Sequence, residues 1–257
     1  MSRSILSAIA IAFTLSLAAL TASAADSGAV PAYVTAALNS PARKDDTADD
    51  ARRQAAAVMT FAGVKPGQKV LELVPGEGYW TRVFSGIVGD KGHVYTVWPH
   101  GMDKYATKSI ANWQELIKKP PYNNVSLLQQ ANDALSSPEP VDVVFTAQNY
   151  HDYHDKFMGP VDMAKFNKEV FDALKPGGLF VVVDHVAPAG SGFADTDTLH
   201  RVDPEAVKKE VEAAGFIFDG ESEVLKNPAD PHTNKVFDPS IRGKTDQFIF
   251  RFRKPAK

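Results

Sequence analysis

VLELVPGEGYW, residues 70–80, is the stretch from which the architecture of this chain can be worked out. An apolar, strand-like run ends in Pro75, Gly76, Glu77 and Gly78, and a helix-like pattern follows. A strand, a glycine-rich turn and a helix in this order are typical of a site where the backbone approaches a ligand closely.

Strand-like and helix-like patterns alternate along the rest of the chain. Short apolar or β-branched runs occur at 69–73, 93–97, 125–129, 141–146 and 179–186, and helical patterns separate them. Two late runs, 216–224 and 247–253, follow the last helical pattern, and the second alternates in the way of a partly exposed antiparallel strand. The sequence therefore predicts an α/β fold: a doubly wound, mainly parallel, seven-stranded Rossmann-like sheet with an antiparallel last strand.

The N-terminal residues have the pattern of an export signal. Arg3 precedes an apolar stretch over residues 5–20, and Ala22, Ser23 and Ala24 form a small-residue cleavage site. An uncleaved anchor helix is the alternative, but the stretch is shorter than the ~20 apolar residues that a membrane span prefers. We expect a signal peptide at 1–24, a lead-in segment at 25–45, a single α/β domain at 46–257, and a periplasmic or secreted protein without stable membrane insertion after cleavage.

Charge and cysteine content exclude several classes of function. The 28 lysines and arginines oppose 31 aspartates and glutamates, for a formal net charge of −3. Nothing in this balance favours a nucleic-acid partner, which normally requires a basic surface. The chain contains no cysteine, so disulfides, thiolate metal sites and cysteine nucleophiles are excluded.

Several motifs together resemble one protein family. VLELVPGEG, ANDALSSPEPVDVVFT, LKPGGLFVVVDH and VKKEVEAAGF follow one another in the order and approximate spacing of class I S-adenosylmethionine-dependent methyltransferases. The resemblance is closest to a branch of predicted methyltransferases that carry signal peptides. An NAD site is disfavoured, because Thr81 stands where the dinucleotide fingerprint requires its third glycine.

The resemblance implies a cofactor, S-adenosylmethionine, and residues that bind it. Glu72, Gly76 and Gly78 match the motif that lines the methionine part of the cofactor, with Glu72 facing its amino group. Asp133 matches the acidic residue that accepts a hydrogen bond from the adenine amine. An ordinary βα turn and an ordinary loop aspartate are the alternatives at these positions.

The sequence departs from the family pattern at the end of the second strand. The family normally has an acidic residue there for the ribose hydroxyls, whereas this chain has Val97 and Trp98; Asp103 is a distant substitute. Pro75 also replaces the first glycine of the family motif. These departures support an alternative function, a non-catalytic exported ligand-binding protein built on the methyltransferase fold.

The segment QNYHDYHD, residues 148–155, follows the fourth strand and is predicted to lie at the rim of the pocket. Asn149, Tyr150, His151 and Asp152 are the candidate catalytic residues, because they can orient a methyl acceptor or remove its proton. A polar loop that caps helices is the alternative.

Metal-assisted hydrolysis is a third possible function, with His151, His154 and Asp155 as metal ligands and His185 approaching. Structural zinc sites need four well-placed ligands, and the spacing does not supply them. The sequence therefore predicts no metal site.

Two long loops are predicted to close the site, 188–202 with His200 and Arg201, and 227–246 with His232, Arg242 and Lys244. Exposed connections are the alternative. The leading hypothesis is an exported methyltransferase that acts on a small-molecule acceptor. No pattern in the sequence specifies an oligomeric state.

Overall fold

A computed structural model describes residues 29–257 of the chain. The predicted signal peptide and the first residues of the lead-in segment lie outside the described residues. Within 29–257, no helix is both long enough and apolar enough to cross a membrane.

Seven strands form one sheet, in the order β3-β2-β1-β4-β5-β7-β6. The strands are β1 (Lys69–Leu73), β2 (His93–Pro99), β3 (Val125–Gln130), β4 (Val141–Ala147), β5 (Leu174–His185), β6 (Ile217–Ser222) and β7 (Gln247–Arg253). β1 to β5 are parallel, and β7 is antiparallel to both β5 and β6. The predicted fold class is confirmed, including the antiparallel last strand.

Helices cover both faces of the sheet. They are α1 (Ala32–Leu38), α2 (Thr47–Asp50), α3 (Ala55–Ala62), α4 (Tyr79–Val88), α5 (Asp103–Leu116), α6 (Met163–Ala173), α7 (Thr196–Leu199) and α8 (Pro204–Ala213). The side chains of α1, α3, α4 and α5 share a core with Val70 of β1, whereas those of α6 and α8 share the opposite core with Leu71 and Leu73. Neighbouring side chains of a strand point to opposite faces, so β1 contributes to both cores.

The C-terminal strand is more buried than its sequence pattern indicates. Ile249 packs into one core, and Phe248, Phe250 and Phe252 pack into the other. The pairing of β7 with strands on both sides explains this burial, because a strand inside the sheet has both faces covered.

The segment expected as a lead-in contains a helix that belongs to the core. Val34 and Ala37 of α1 are buried, and α1 packs against α4. A Cβ on Gly86 of α4 would lie 3.0 Å from the Cβ of Ala37, so glycine permits the two helices to approach closely. The boundary placed at residue 45 remains a prediction, but the residues just before it are packed against the sheet domain.

Candidate functional site

The turn between β1 and α4 lies where the strand order reverses. β1 pairs with β2 on one side and with β4 on the other. The helix that follows β1, α4, packs on one face of the sheet, and the helix that follows β4, α6, packs on the opposite face. In doubly wound sheets, ligands bind in the crevice that this reversal opens at the carboxyl ends of the strands. The glycine turn therefore lies at the expected ligand position.

Gly76 and Gly78 have different environments. Both have positive φ angles, +59° and +81°. Gly76 is exposed, and no atom lies within 4 Å of the position that a Cβ would take. A Cβ on Gly78 would overlap the indole of Trp113, which covers this part of the turn. Gly76 thus presents open backbone, whereas Gly78 permits contact with Trp113.

Glu72 lies behind the turn in a buried position. Its side chain is 2% exposed and accepts a hydrogen bond of 2.6 Å from the hydroxyl of Thr81. Burial raises the pKa of Glu72 to about 8, although the bond from Thr81 and the charge of Arg82 oppose this shift. Thr81, the residue that breaks the dinucleotide fingerprint, therefore holds this carboxyl group in place.

Asn149 connects the ends of β1 and β4. Its amide group donates to the carbonyl oxygens of Val74 (3.1 Å) and Ala147 (2.6 Å). Val74 has a φ of +50°, which is unusual for a β-branched residue. The side chain of Asn149 thus fixes the backbone at the entrance to the glycine turn.

Tyr150 belongs to the core that α6 and α8 form with one face of the sheet. It is fully buried, its hydroxyl donates to Glu210 (2.6 Å), and the same hydroxyl accepts a bond from Asn167 (2.8 Å). Both partners lie on helices, α8 and α6. This environment gives Tyr150 the contacts of a residue that anchors helices, and its catalytic role stays a prediction.

His151 and Asp152 lie together in a buried cluster of ionisable groups. Asp184, at the end of β5, accepts from the Nδ1 atom of His151 (2.8 Å) and from its backbone amide (2.9 Å). Burial opposes a charge on His151, but Asp184 and Asp152 outweigh it and raise the pKa of His151 to about 10. Burial likewise opposes ionisation of Asp152, yet hydrogen bonds from His151 and His200 lower its pKa.

Two further members of this cluster were not predicted as site residues. The Nε2 atom of His151 lies 3.0 Å from the Nδ1 atom of His200, and Asp155 lies beside them. Asp155 is 1% exposed, and within residues 29–257 neither of its carboxylate oxygens has a hydrogen-bond partner. Burial raises the pKa of Asp155. The sequence signals for this cluster were the HDYHD motif, residues 151–155, and the loop that carries His200. Their spacing along the chain did not indicate that the two segments meet.

The metal-ligand set considered from the sequence differs from the one in the structure. His154 points away, contacts Glu210 (3.2 Å) and stacks on Phe193. His185 instead pairs with the hydroxyl of Thr245 (2.7 Å). Within the described residues, the groups that lie close enough to share one ion are His151, Asp152, Asp155 and His200. Two of the four side chains considered from the sequence, His151 and Asp155, belong to this cluster, and the expectation of no metal site stays a prediction.

The end of β2 carries no acidic group. Trp98 is 1% exposed, and its indole donates to Thr96. Asp103, the distant substitute, is exposed and pairs with His100 (3.1 Å). Asp133 is exposed on the loop after β3. The departure from the family pattern at the ribose position is therefore a feature of the structure as well.

A cavity of about 380 Å³ lies next to the ends of β4 and β5. Its wall includes His185 and residues of the long loop 227–246, so this loop does line a pocket. The lining side chains and glycine are Arg52, Gln148, His185, Val236, Phe237, Arg242, Gly243 and Thr245. Burial lowers the pKa of His185 to about 4, so this imidazole is neutral at physiological pH. None of the four predicted catalytic residues lines this cavity.

The two long loops are joined to each other. Arg201 and Asp230 form a two-point ion pair with distances of 2.9 and 3.0 Å. Arg201 also donates to the carbonyl oxygens of Val186 and Asn234. His232 lies on the same loop and contacts Asp246 (2.8 Å). These contacts hold the loops in a fixed arrangement over the ends of the strands.

The sheet order, the glycine turn and the crevice above it define a class I methyltransferase fold. The chain belongs to the ubiE/COQ5 methyltransferase family, whose model matches residues 50–197. This match covers β1 to β5, the glycine turn and the residues of the HDYHD motif.

Curated relatives match a shorter stretch of the chain. A ubiquinone/menaquinone biosynthesis C-methyltransferase UbiE from Shewanella sp. (strain W3-18-1) is 31% identical over 137 residues, which are 51% of this chain and 47% of the relative. The corresponding protein of Shewanella woodyi is 31% identical over 134 residues, 49% of this chain and 46% of the relative. The chain thus spans about half the length of the curated relatives it matches.

Solved structures share the fold at low sequence identity. A SAM-dependent methyltransferase from Aquifex aeolicus superposes with a TM-score of 0.53 at 22% identity, over 84% of this chain and 95% of that one. The [4+2]-cyclase SpnF superposes with a TM-score of 0.58 at 16% identity, over 80% and 82% of the two chains. The second example is a protein named for a different reaction, so the fold by itself does not specify methyl transfer.

Proposed function

We propose that this protein is an S-adenosylmethionine-dependent methyltransferase that acts on a small-molecule acceptor. The observation that carries the proposal is the open glycine turn at the strand reversal, with the buried carboxyl group of Glu72 directly behind it. Membership of the ubiE/COQ5 family supports both the cofactor and the reaction class.

The residues of the turn fit the methionine part of the cofactor. Gly76 leaves open space for a ligand next to the backbone, and Glu72 offers a carboxyl group in a water-poor environment. When bound, the cofactor supplies an electrophilic methyl group on a sulfonium, and the protein has to align the acceptor with it. Glu72, Gly76 and Gly78 would hold the methionine part, and Asp133 the adenine.

The acceptor is proposed to be an aromatic molecule that enters the cavity beside β4 and β5. Phe237 is 54% exposed and lines this cavity with Val236, which gives the acceptor an apolar surface. Arg52 and Arg242 offer positive charge for an anionic substituent. The curated relatives, which carry the name of C-methyltransferases in ubiquinone and menaquinone biosynthesis, support an aromatic acceptor and transfer to carbon.

His185 is proposed to face the acceptor. It lines the cavity, its imidazole is neutral, and its Nδ1 atom is engaged by Thr245. Asn149 would act as a positioning residue for the glycine turn, since it binds the backbone of Val74. Tyr150, His151 and Asp152 do not line this cavity. Their predicted catalytic roles therefore require that the acceptor bind at a different place.

Calorimetric titration with S-adenosylmethionine and with its demethylated product tests the proposal. We expect micromolar binding by the wild type and loss of binding in Gly76→Asp, because the new carboxylate fills the open space at the turn. Gly177→Asp is the matched control, since Gly177 also has a positive φ (+79°) and free surroundings but lies at the opposite end of the sheet. Equal weakening in both variants, or no binding by folded wild type, would refute it.

A non-catalytic ligand-binding protein is the second candidate. The observation in its favour is Trp98, a buried indole at the position where the family normally has a carboxylate for the ribose. This candidate predicts that the folded wild type does not bind S-adenosylmethionine in the same titration. Binding of an aromatic compound that depends on Phe237 would then identify the ligand class.

Export is proposed from the sequence of residues 1–24 alone. Cleavage after Ala24 would yield a periplasmic or secreted protein that begins at Ala25. Mass spectrometry of the protein recovered from the periplasmic fraction measures the N-terminus directly. Recovery of a chain that still begins at Met1, or of protein confined to the cytosol, would contradict this proposal.

A further inference from the structure

Asp155 is a buried carboxylate in a cluster of metal-ligating side chains, and its nearest charged neighbours are the histidines of that cluster. It is 1% exposed, and within residues 29–257 both of its side-chain oxygens lack a hydrogen bond. Its Oδ2 atom lies 3.9 Å from the Nδ1 atom of His200 and is therefore directed into the cluster. A buried carboxylate without hydrogen bonds is costly in its charged form, and a bound cation would offset this cost.

The distances between the ligand atoms fit a shared ion. The Nε2 atom of His151 lies 3.0 Å from the Nδ1 atom of His200 and 3.2 Å from the Oδ1 atom of Asp152. His200 and Asp152 are 3.6 Å apart, and the four ligand atoms all lie within 4.8 Å of one another. Tetrahedral coordination with bonds of ~2.0–2.1 Å places neighbouring ligand atoms about 3.3 Å apart.

Asp184 orients the imidazole of His151 by a hydrogen bond on the side away from the cluster. Asp184 accepts a bond of 2.8 Å from the Nδ1 atom of His151, which leaves the Nε2 atom directed at the cluster. A carboxylate that orients a histidine in this way is the usual partner of a metal ligand. Asp184 is fully buried and also binds the backbone amides of His151 and His185, so its position is fixed.

We propose that His151, Asp152, Asp155 and His200 bind one divalent transition-metal ion of the zinc class. Two imidazole nitrogens and two carboxylate oxygens suit zinc better than magnesium or calcium, which prefer oxygen ligands alone. The ion would join the HDYHD segment after β4 to the end of α7. The inference goes beyond the proposed methyl transfer, and it does not depend on it.

His200 gives the site access to solvent. Its side chain is 26% exposed, whereas those of His151 and Asp155 are 2% and 1% exposed. His200 also has a φ of +53°, a conformation that non-glycine residues rarely adopt, and its ring contacts Phe237 of the cavity wall. A metal on His200 would therefore lie one residue away from the proposed acceptor cavity.

Calorimetric titration of the metal-free full chain with Zn²⁺, in the presence of excess Mg²⁺, is the direct test. We expect one Zn²⁺ per chain, loss of that binding in Asp155→Asn and His200→Ala, and about 10–100-fold weaker binding in Asp184→Asn. His154→Gln is the matched control, because His154 is part of the same motif but contacts Glu210. Its affinity for Zn²⁺ should equal that of the wild type.

Thermal unfolding shows whether the variants fold. Asp155→Asn replaces a buried carboxyl group that makes no hydrogen bond within residues 29–257, so this variant should melt no lower than the metal-free wild type. Zn²⁺ should raise the melting temperature of the wild type but not that of Asp155→Asn. The proposal is wrong if the folded wild type binds no stoichiometric Zn²⁺, or if His154→Gln loses as much affinity as Asp155→Asn.

Discussion

The guanidinium of Arg201 and the carboxylate of Asp230 form a two-point ion pair in which neither side chain is exposed to solvent. The pair joins the loop after β5 to the loop before β7. Breaking a buried pair by removing one partner leaves an uncompensated charge in the interior.

We therefore expect Arg201→Met to lower the free energy of unfolding by about 3–5 kcal/mol. Chemical denaturation measures this loss. The control is Lys226→Met, which removes an exposed pair with Glu223 and should cost less than about 1 kcal/mol. Similar losses in the two variants would show that the buried pair does not hold the loops.

Glu72 should make the stability of the protein depend on pH. Its pKa is about 8 in the folded protein, well above the ordinary value of 4.5, so the folded state holds a proton that the unfolded chain releases. This contribution to stability is complete below pH 4.5 and is lost as the pH rises through about 8. Between pH 5 and pH 8 the loss relative to Glu72→Gln should be at most about 4 kcal/mol.

The measurement is the free energy of unfolding of the wild type and of Glu72→Gln at several pH values. The difference between them should shift in favour of Glu72→Gln as the pH rises. Glu77→Gln, an exposed change in the same turn, should follow the wild type. A constant difference between wild type and Glu72→Gln would mean that Glu72 is ionised in the folded protein.

Alanine at the two glycines of the turn should have unequal effects. Gly76→Ala should lower the free energy of unfolding by roughly 1–2 kcal/mol, because alanine disfavours the positive φ at this position. Gly78→Ala carries the same cost and also places its methyl group in the ring of Trp113, so we expect a loss of about 3 kcal/mol or more. Melting temperatures distinguish the two. A Gly78→Ala variant as stable as Gly76→Ala would show that Trp113 can move away from the turn.

Tyr150→Phe distinguishes a structural from a catalytic hydroxyl. The hydroxyl of Tyr150 donates a hydrogen bond to Glu210 and accepts one from Asn167. Its removal leaves each of these partners with one hydrogen bond fewer, which should lower the free energy of unfolding by about 1–3 kcal/mol. Once an acceptor is identified, the rate constant kcat of the variant should stay within about twofold of the wild type at a temperature where both are folded. A drop of about 100-fold or more would restore the catalytic assignment.

Much of the fold could be predicted because each strand is a short run with clear punctuation. Gln247 to Arg253 was expected as a strand, and β7 has these bounds. α1 was missed, because seven residues flanked by Pro31 and Asn39 give too short a window for a helical period. Its structure depends on packing against α4, which no local pattern reveals.

The metal-ligand set could not be predicted for a different reason. Asp155 and His200 are 45 positions apart, and they meet because α7 folds back onto the HDYHD segment. His151 and His154 are close in sequence, yet their rings have different partners, Asp184 and Glu210. Proximity along the chain identified the motif, but the tertiary path of a loop determines which of its side chains converge.

The position of β7 between β5 and β6 affects the order in which the chain can acquire its structure. During synthesis, β6 emerges from the ribosome before the strand that connects it to the rest of the sheet, so residues 217–222 have no partner until residues 247–253 follow. The aromatic core around Phe250 and Phe252 likewise forms only at that point. A nascent chain of this topology therefore cannot complete its sheet until translation has passed residue 253.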